Sequence, residues 1–203
     1  PTLTEVKEIA KTGKYDILPV SCEILSDFIT PIEAMRILQN VSTHCYLLES
    51  AQANEAWGRY TFMGYDPKLE INCIDGHMKL GKLSVETDNP SEYIRQILSE
   101  YKSPKFDYLP SFTGGLVGYF SYDYLGYKEK SIRGKAKDTE DFKDVDLMLF
   151  DKVIAFDNLC QKIILIANMS LDAPETGYNK AIVELKQLRE LLMHGEKKQN
   201  MGG

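Results

Sequence analysis

Apolar residues recur along this chain in two rhythms, one of about three and a half residues and one of two, and the two alternate. Thr2 and Glu5 have capping-box spacing ahead of Val6, Ile9 and Ala10 on one face. Gly13 supplies a stop, so a short N-terminal helix is predicted. Thr30, Pro31 and Glu33 form a second start, a threonine cap with proline at the first helical position. Ile32, Met35, Ile37 and Leu38 predict its buried face, up to about Asn40. Asn89, Pro90 and Glu92 begin a third helix with Tyr93, Ile94, Ile97, Leu98 and Tyr101 turned inward. Beyond Pro174, Ile182, Leu185, Leu188 and Leu192 predict a fourth, stopped at Gly195.

Between these stretches the period falls to two. Tyr15 to Leu25 reads as extended, with Pro19 marking an edge or a bend. Cys45 to Leu48 is a short apolar run, and Glu49 and Ser50 stand where such a strand leaves the core. After a small-residue turn, Trp57, Gly58, Arg59, Tyr60 and Phe62 lead into another extended segment. Leu69, Ile71 and Cys73 alternate with Glu70 and Asn72, and Asp75-Gly76 is a two-residue hairpin signal leading to Met78 and Leu80. Two branched apolar runs, 146–156 and 159–167, flank a second hairpin signal at Asp157-Asn158. Residues 128–145 are polar and mixed in charge, which predicts a surface arm, and 196–203 form a polar tail. With no internal repeat, the simplest reading is one α+β domain over residues 1–203. Its sheet or sheets are antiparallel or mixed, with covering helices.

Composition narrows the partners. A 203-residue chain with 43% hydrophobic and 27% charged residues suits a soluble globular protein. Its net charge of −6, without a basic stripe, argues against nucleic acid and against an anionic membrane. No run approaches the roughly 20 apolar residues that span a bilayer, and the amphipathic N-terminus has no signal-peptide core, so a cytoplasmic location is expected. Cys22, Cys45, Cys73 and Cys160 form no CxxC pair, and His44, His77 and His194 lack metal spacing. Buried free thiols and no metal are expected. Gly114, Gly115 and Gly118 match neither GxGxxG nor GxxxxGK[ST]; they predict a bulge or close backbone approach within a strand.

Candidate chemistry gathers in residues 45–67, where the chain turns from apolar to acidic to aromatic and basic. Glu49 offers a carboxylate for an ammonium, Arg59 a guanidinium for a carboxylate, and their neighbours offer apolar walls, a set that suits an amino acid. On the residues alone, a surface hairpin with Glu49 and Arg59 facing water is the better reading. However, LLES followed by GRYTFMGYDP resembles the N-terminal region of anthranilate synthase component I. FTGGLVGYFSYD (112–123) resembles a block that this family shares with aminodeoxychorismate synthase component I. The likeness runs from about Tyr15 to about Met193.

That resemblance implies a two-sheet sandwich completed by a chorismate-binding C-terminal half. The intact subunit is then expected to turn chorismate and ammonia, supplied by a glutamine amidotransferase subunit, into anthranilate and pyruvate. Magnesium is expected for the intact enzyme and no cofactor for this portion, to which no catalytic residue is assigned. An L-tryptophan feedback site is implied at Leu48, Glu49 and Ser50, with Arg59 and Pro19. Strand edges left by the missing half imply possible self-association. The alternatives are the N-terminal part of aminodeoxychorismate synthase component I and a standalone, non-catalytic amino-acid-binding or interaction module.

Overall fold

A computed structural model of the chain describes residues 1–49, 58–120 and 145–197. In chain order the described elements are α1 (Leu3–Lys11), β1 (Ile17–Leu25), α2 (Pro31–Val41), β2 (Cys45–Glu49), β3 (Tyr60–Tyr65), β4 (Leu69–Ile74), β5 (His77–Leu80) and β6 (Leu83–Glu86). They continue with α3 (Pro90–Ser99), β7 (Gly115–Phe120), β8 (Val145–Phe150), β9 (Lys152–Asp157), β10 (Lys162–Ser170) and α4 (Pro174–His194). The class is α+β, with two five-stranded sheets in which the described pairings are all antiparallel. The chain forms two compact units, one from residues 1–66, 102–114 and 151–203, the other from 67–101 and 115–150. Of the expected arm over 128–145, residues 128–144 lie outside the described residues, and Val145 is instead the buried first residue of β8; of the expected tail over 196–203, residues 198–203 lie outside them.

Local signals account for the helix starts. The Thr2 hydroxyl accepts the Glu5 N–H at 3.2 Å, and the Glu5 carboxylate accepts the Thr2 N–H at 3.2 Å, a complete capping box. Thr30 accepts the Glu33 N–H at 3.2 Å, but the Glu33 carboxylate turns instead to Lys197 Nζ at 2.7 Å. The inward faces differ from the sequence reading at three positions. On α2 the buried stripe is Ala34, Ile37 and Leu38, and Ile32 is 65% exposed, because that narrow stripe already fills the helix's contact with the sheet. On α3, Ile94 is buried while Leu98 is exposed, and Tyr101 follows the helix end.

The first unit holds the sheet ordered β1-β10-β9-β3-β2. Leu18, Val20, Met63, Ile154, Phe156, Ile163 and Leu165 face α1, α2 and α4, packing with Val6, Ile37, Leu38, Leu185 and Leu188. The alternate residues Phe62, Val153, Ala155, Ile164 and Ile166 are buried on the other face. Two buried faces explain why these strands read as continuous apolar runs. Pro19 lies opposite Asn168 on β1, an edge strand, where a missing N–H is tolerated. The run 146–156 is two strands, since the chain leaves one sheet after Phe150 and enters the other at Lys152. The Asp157-Asn158 signal marks a real hairpin, but its loop is residues 158–161, with Gln161 at φ 56°. Asp157 remains in the ladder because its carboxylate accepts the N–H groups of Leu159 and Cys160, each at 3.1 Å.

The second unit holds the sheet ordered β6-β5-β4-β8-β7. Asp75 and Gly76, at φ 47° and 82°, make the tight two-residue turn expected between β4 and β5. Ile71, Cys73, Met78, Val145 and Leu147 pack with Ile94 of α3. The glycine block forms β7, with Gly118 at φ 152° facing the Asp146 backbone of β8 so closely that a Cβ would overlap the Asp146 carbonyl oxygen. All four cysteines are free thiols; Cys73 is buried, whereas Cys160 is exposed on the β9–β10 loop, contrary to a uniformly buried set. No described helix is long and apolar enough to cross a membrane. Gly118→Ala is expected to cost about 2–4 kcal/mol, from backbone strain and overpacking together. Urea unfolding checks this, and an unchanged midpoint refutes the close approach.

Candidate functional site

Strand β2 carries the acidic end of the 45–67 stretch along an edge of the first sheet. In its register with β3, Glu49 faces Thr61, Leu48 faces Phe62, Leu47 faces Met63 and Tyr46 faces Gly64. Successive strand residues point to opposite faces, so the Leu48 side chain shares a face with Phe62, and Glu49 shares the other with Thr61. Leu48 is 39% exposed and Glu49 is exposed. Only at a sheet edge, next to a strand end, can one small ligand meet both.

Aromatic rings wall the Leu48 side. Tyr60 and Phe62 stack at 5.6 Å between centroids, and Phe62 meets Phe112 edge-on at 5.3 Å. Phe112 also meets Tyr46 edge-on at 6.1 Å. The Tyr46 ring lies over Gly64, where any Cβ would strike it, and burial pushes the Tyr46 phenol far up from its ordinary value. Residue type is thus dictated at Gly64 by its cross-strand partner.

Arg59, at the head of β3, is held by an acid that the sequence reading did not connect with it. Its Nη2 is 3.3 Å from Asp157 Oδ2 and its Nε donates to Oδ1 at 3.5 Å. Its guanidinium carbon also lies 4.9 Å from the Tyr60 ring centroid. The Asp157 side chain is only 1% exposed, against 32% for Arg59. Burial works to raise the Asp157 pKa, yet the Arg59 hydrogen bond, the Cys160 N–H and the Arg59 charge outweigh it and hold the carboxyl below its ordinary value. A ligand carboxylate at Arg59 therefore has to share the guanidinium with Asp157. Beside it, Asn158 donates through Nδ2 to the Gly58 carbonyl at 2.9 Å and to Thr61 Oγ1 at 3.2 Å. The Asn158 N–H donates to the Arg59 carbonyl at 2.7 Å.

Leu48, Glu49 and Arg59 thus lie on adjacent strands at one end of the sheet. Pro19 does not join them. Three strands separate β1 from β2, a lateral distance of about 19 Å at the usual strand spacing. The row through Leu48 reaches β1 at Glu23, four residues from Pro19. Ser50 lies outside the described residues. Asp157, Asn158 and Thr61 were the residues missed; the only sequence signal was a hairpin, and nothing local tied it to Arg59. Among the described residues, no group of three or more His, Cys, Asp or Glu side chains is placed to hold a metal ion.

This α+β plan of two antiparallel sheets matches a solved protein. The crystal structure of anthranilate synthase component I from Streptococcus pneumoniae superposes with a TM-score of 0.51 at 25% identity, covering 82% of this chain and 36% of that one. Sequence comparison agrees. Anthranilate synthase component 1 of Acetivibrio thermocellus is 34% identical over 198 residues, 95% of this chain and 39% of that protein. The Pseudomonas aeruginosa protein of the same name is 35% identical over 196 residues, 93% of this chain and 39% of its own length. No protein-family model matches the sequence. The chain is a homologue of the N-terminal part of anthranilate synthase component 1, and it spans about two fifths of the curated relatives it matches.

The Asp157 charge sets an acid limit on this corner. A carboxyl whose folded pKa is depressed stabilises the fold fully above its unfolded value of about 3.8, and that contribution is lost as pH falls through the folded value. Asp157→Asn keeps an acceptor for the loop N–H groups and removes only the charge. The urea midpoint of the parent chain is expected to exceed that of the variant at pH 7. The gap should close as pH falls below about 3.8. A gap unchanged down to pH 2.5 argues that the ion pair is immaterial.

Proposed function

We propose that this chain is the N-terminal scaffold and regulatory portion of an anthranilate synthase component I subunit acting in tryptophan biosynthesis in the cytoplasm. The observation that carries the reading is the match to proteins of that name over 93–95% of the chain. The intact subunit converts chorismate and ammonia, released from glutamine by an amidotransferase partner, to anthranilate and pyruvate. Magnesium serves the intact enzyme. Its ligands and the acid/base groups belong to the C-terminal remainder, so no chemical step runs through the described residues. The 203-residue chain alone is inactive, and its exposed β2 edge, with Leu47 and Leu48 partly in water, supports self-association of that isolated portion.

L-Tryptophan is the feedback ligand of the β2 edge. Leu48 offers apolar surface to the indole, Glu49 accepts the ammonium, and Ser50 adds one hydrogen bond. Arg59 stands beside this set at the head of β3. The edge position supports the reading, since it lets one ligand reach side chains on both faces of the strand. Pro19 is left out of the contact set by its place on the far edge.

In the intact enzyme, Glu49→Ala is expected to weaken tryptophan inhibition about 10- to 150-fold, the cost of a charge-assisted hydrogen bond. Ser50→Ala weakens it less. Inhibition curves measured beside chorismate turnover check this: unchanged inhibition in both variants removes the assignment, and equal loss of inhibition and turnover points to scaffold damage. Purified residues 1–203 should form no anthranilate from chorismate, ammonia and magnesium.

A further inference from the structure

The β9–β10 loop is bound to the head of β3, the strand paired with β2, by more hydrogen bonds than a hairpin loop requires. Asn158 makes three hydrogen bonds to the head of β3, to the Gly58 carbonyl at 2.9 Å, the Arg59 carbonyl at 2.7 Å and Thr61 Oγ1 at 3.2 Å. Thr61 is only 7% exposed and lies directly opposite Glu49 in the β2–β3 register. The neighbouring Asp157 fixes Arg59 from the buried side and is itself fixed by the N–H groups of Leu159 and Cys160. The Asn158 bonds and the Arg59–Asp157 pair reach across to β3 and are not needed to close the β9–β10 turn, whose own ladder pairs Asp157 with Lys162.

We infer that Asn158 is a positioning residue for the Glu49 carboxylate, acting through Thr61 on the adjacent strand. Glu49 sits at the last residue of an edge strand, paired on one side only, so its placement depends on how firmly β3 is held opposite it. Asn158 clamps β3 at residues 58, 59 and 61, at the end where β2 leaves the sheet. Loosening the clamp leaves the core intact and lets the carboxylate wander. Ligand affinity at Glu49 then falls while catalysis in the remainder of the enzyme continues. This rests on the reading of Glu49 as the ammonium acceptor for tryptophan.

The test uses the intact enzyme with its amidotransferase partner, with tryptophan as the probe. Asn158→Ala and Thr61→Val are each expected to raise the tryptophan inhibition constant about 2- to 12-fold, the range for one neutral hydrogen bond. Turnover and chorismate KM without tryptophan should stay unchanged. The double variant should be no worse than the more affected single one, since both remove the same link. Thr61→Ser, which keeps the hydroxyl, should retain parent inhibition. Glu49→Ala run in parallel separates the two claims. If it loses inhibition and Asn158→Ala does not, the positioning role is wrong and the regulatory reading stands. If Glu49→Ala inhibits normally, both fall. Proportionate loss of turnover and inhibition in Asn158→Ala, or additive effects in the double variant, also overturn the inference.

Discussion

The first unit depends on the burial of both faces of the β9–β10 hairpin. Ile154, Ile163, Ile164, Leu165 and Ile166 are all under 2% exposed, and each such side chain contributes about 1.5–3 kcal/mol relative to exposure. The other strands attach outward from this pair, β1 to β10, β3 to β9, and β2 to β3. Helix α4 packs across β10 and presents Leu185, Leu188 and Leu192 to the same core. The β2 edge is therefore a peripheral layer on a rigid base. A side chain such as Glu49 can face water without loosening the structure beneath it.

Asp157 is where this apolar hairpin ends and polar chemistry begins. An ionised carboxylate so far from water is tolerated only when its lone pairs are taken. Here two loop N–H groups and the Arg59 guanidinium take them. The same carboxylate shapes the loop on one side and anchors the head of β3 on the other. Arg59 is consequently a member of the fold first, whatever field it projects toward a ligand. Tyr60 beneath the guanidinium adds a ring face that favours the same placement.

What was legible in the sequence was local. The caps at Thr2 and Thr30 and the Asp75-Gly76 turn depend on a few neighbouring residues, and the structure has them; the glycine block marked a close approach at Gly118 but not its partner, Asp146 on β8. Periodicity named too many inward residues, Ile32 and Leu98 among them, because an apolar side chain announces its character but not the width of the surface available to it. The break at Asp151 was illegible, since β8 and β9 share one apolar pattern and the change of sheet is a tertiary event. Pro19 could be read as an edge residue, but not as belonging to the edge opposite Glu49. The Arg59–Asp157 pair spans 98 positions, and only the adjacency of β3 and β9 creates it. For the β2 element, chemistry alone favoured a solvated hairpin, and the family resemblance singled out Glu49.

Because Leu48 and Glu49 lie on opposite sides of one strand, the distance from them to the last fixed ladder contact matters by parity. One residue inserted after Tyr46 sends the carboxylate toward the Phe62 ring and the leucine toward Thr61. Two inserted residues restore both sides and merely slide the pair along by about 7 Å. Within the strand itself, therefore, only even changes in length preserve which group meets which.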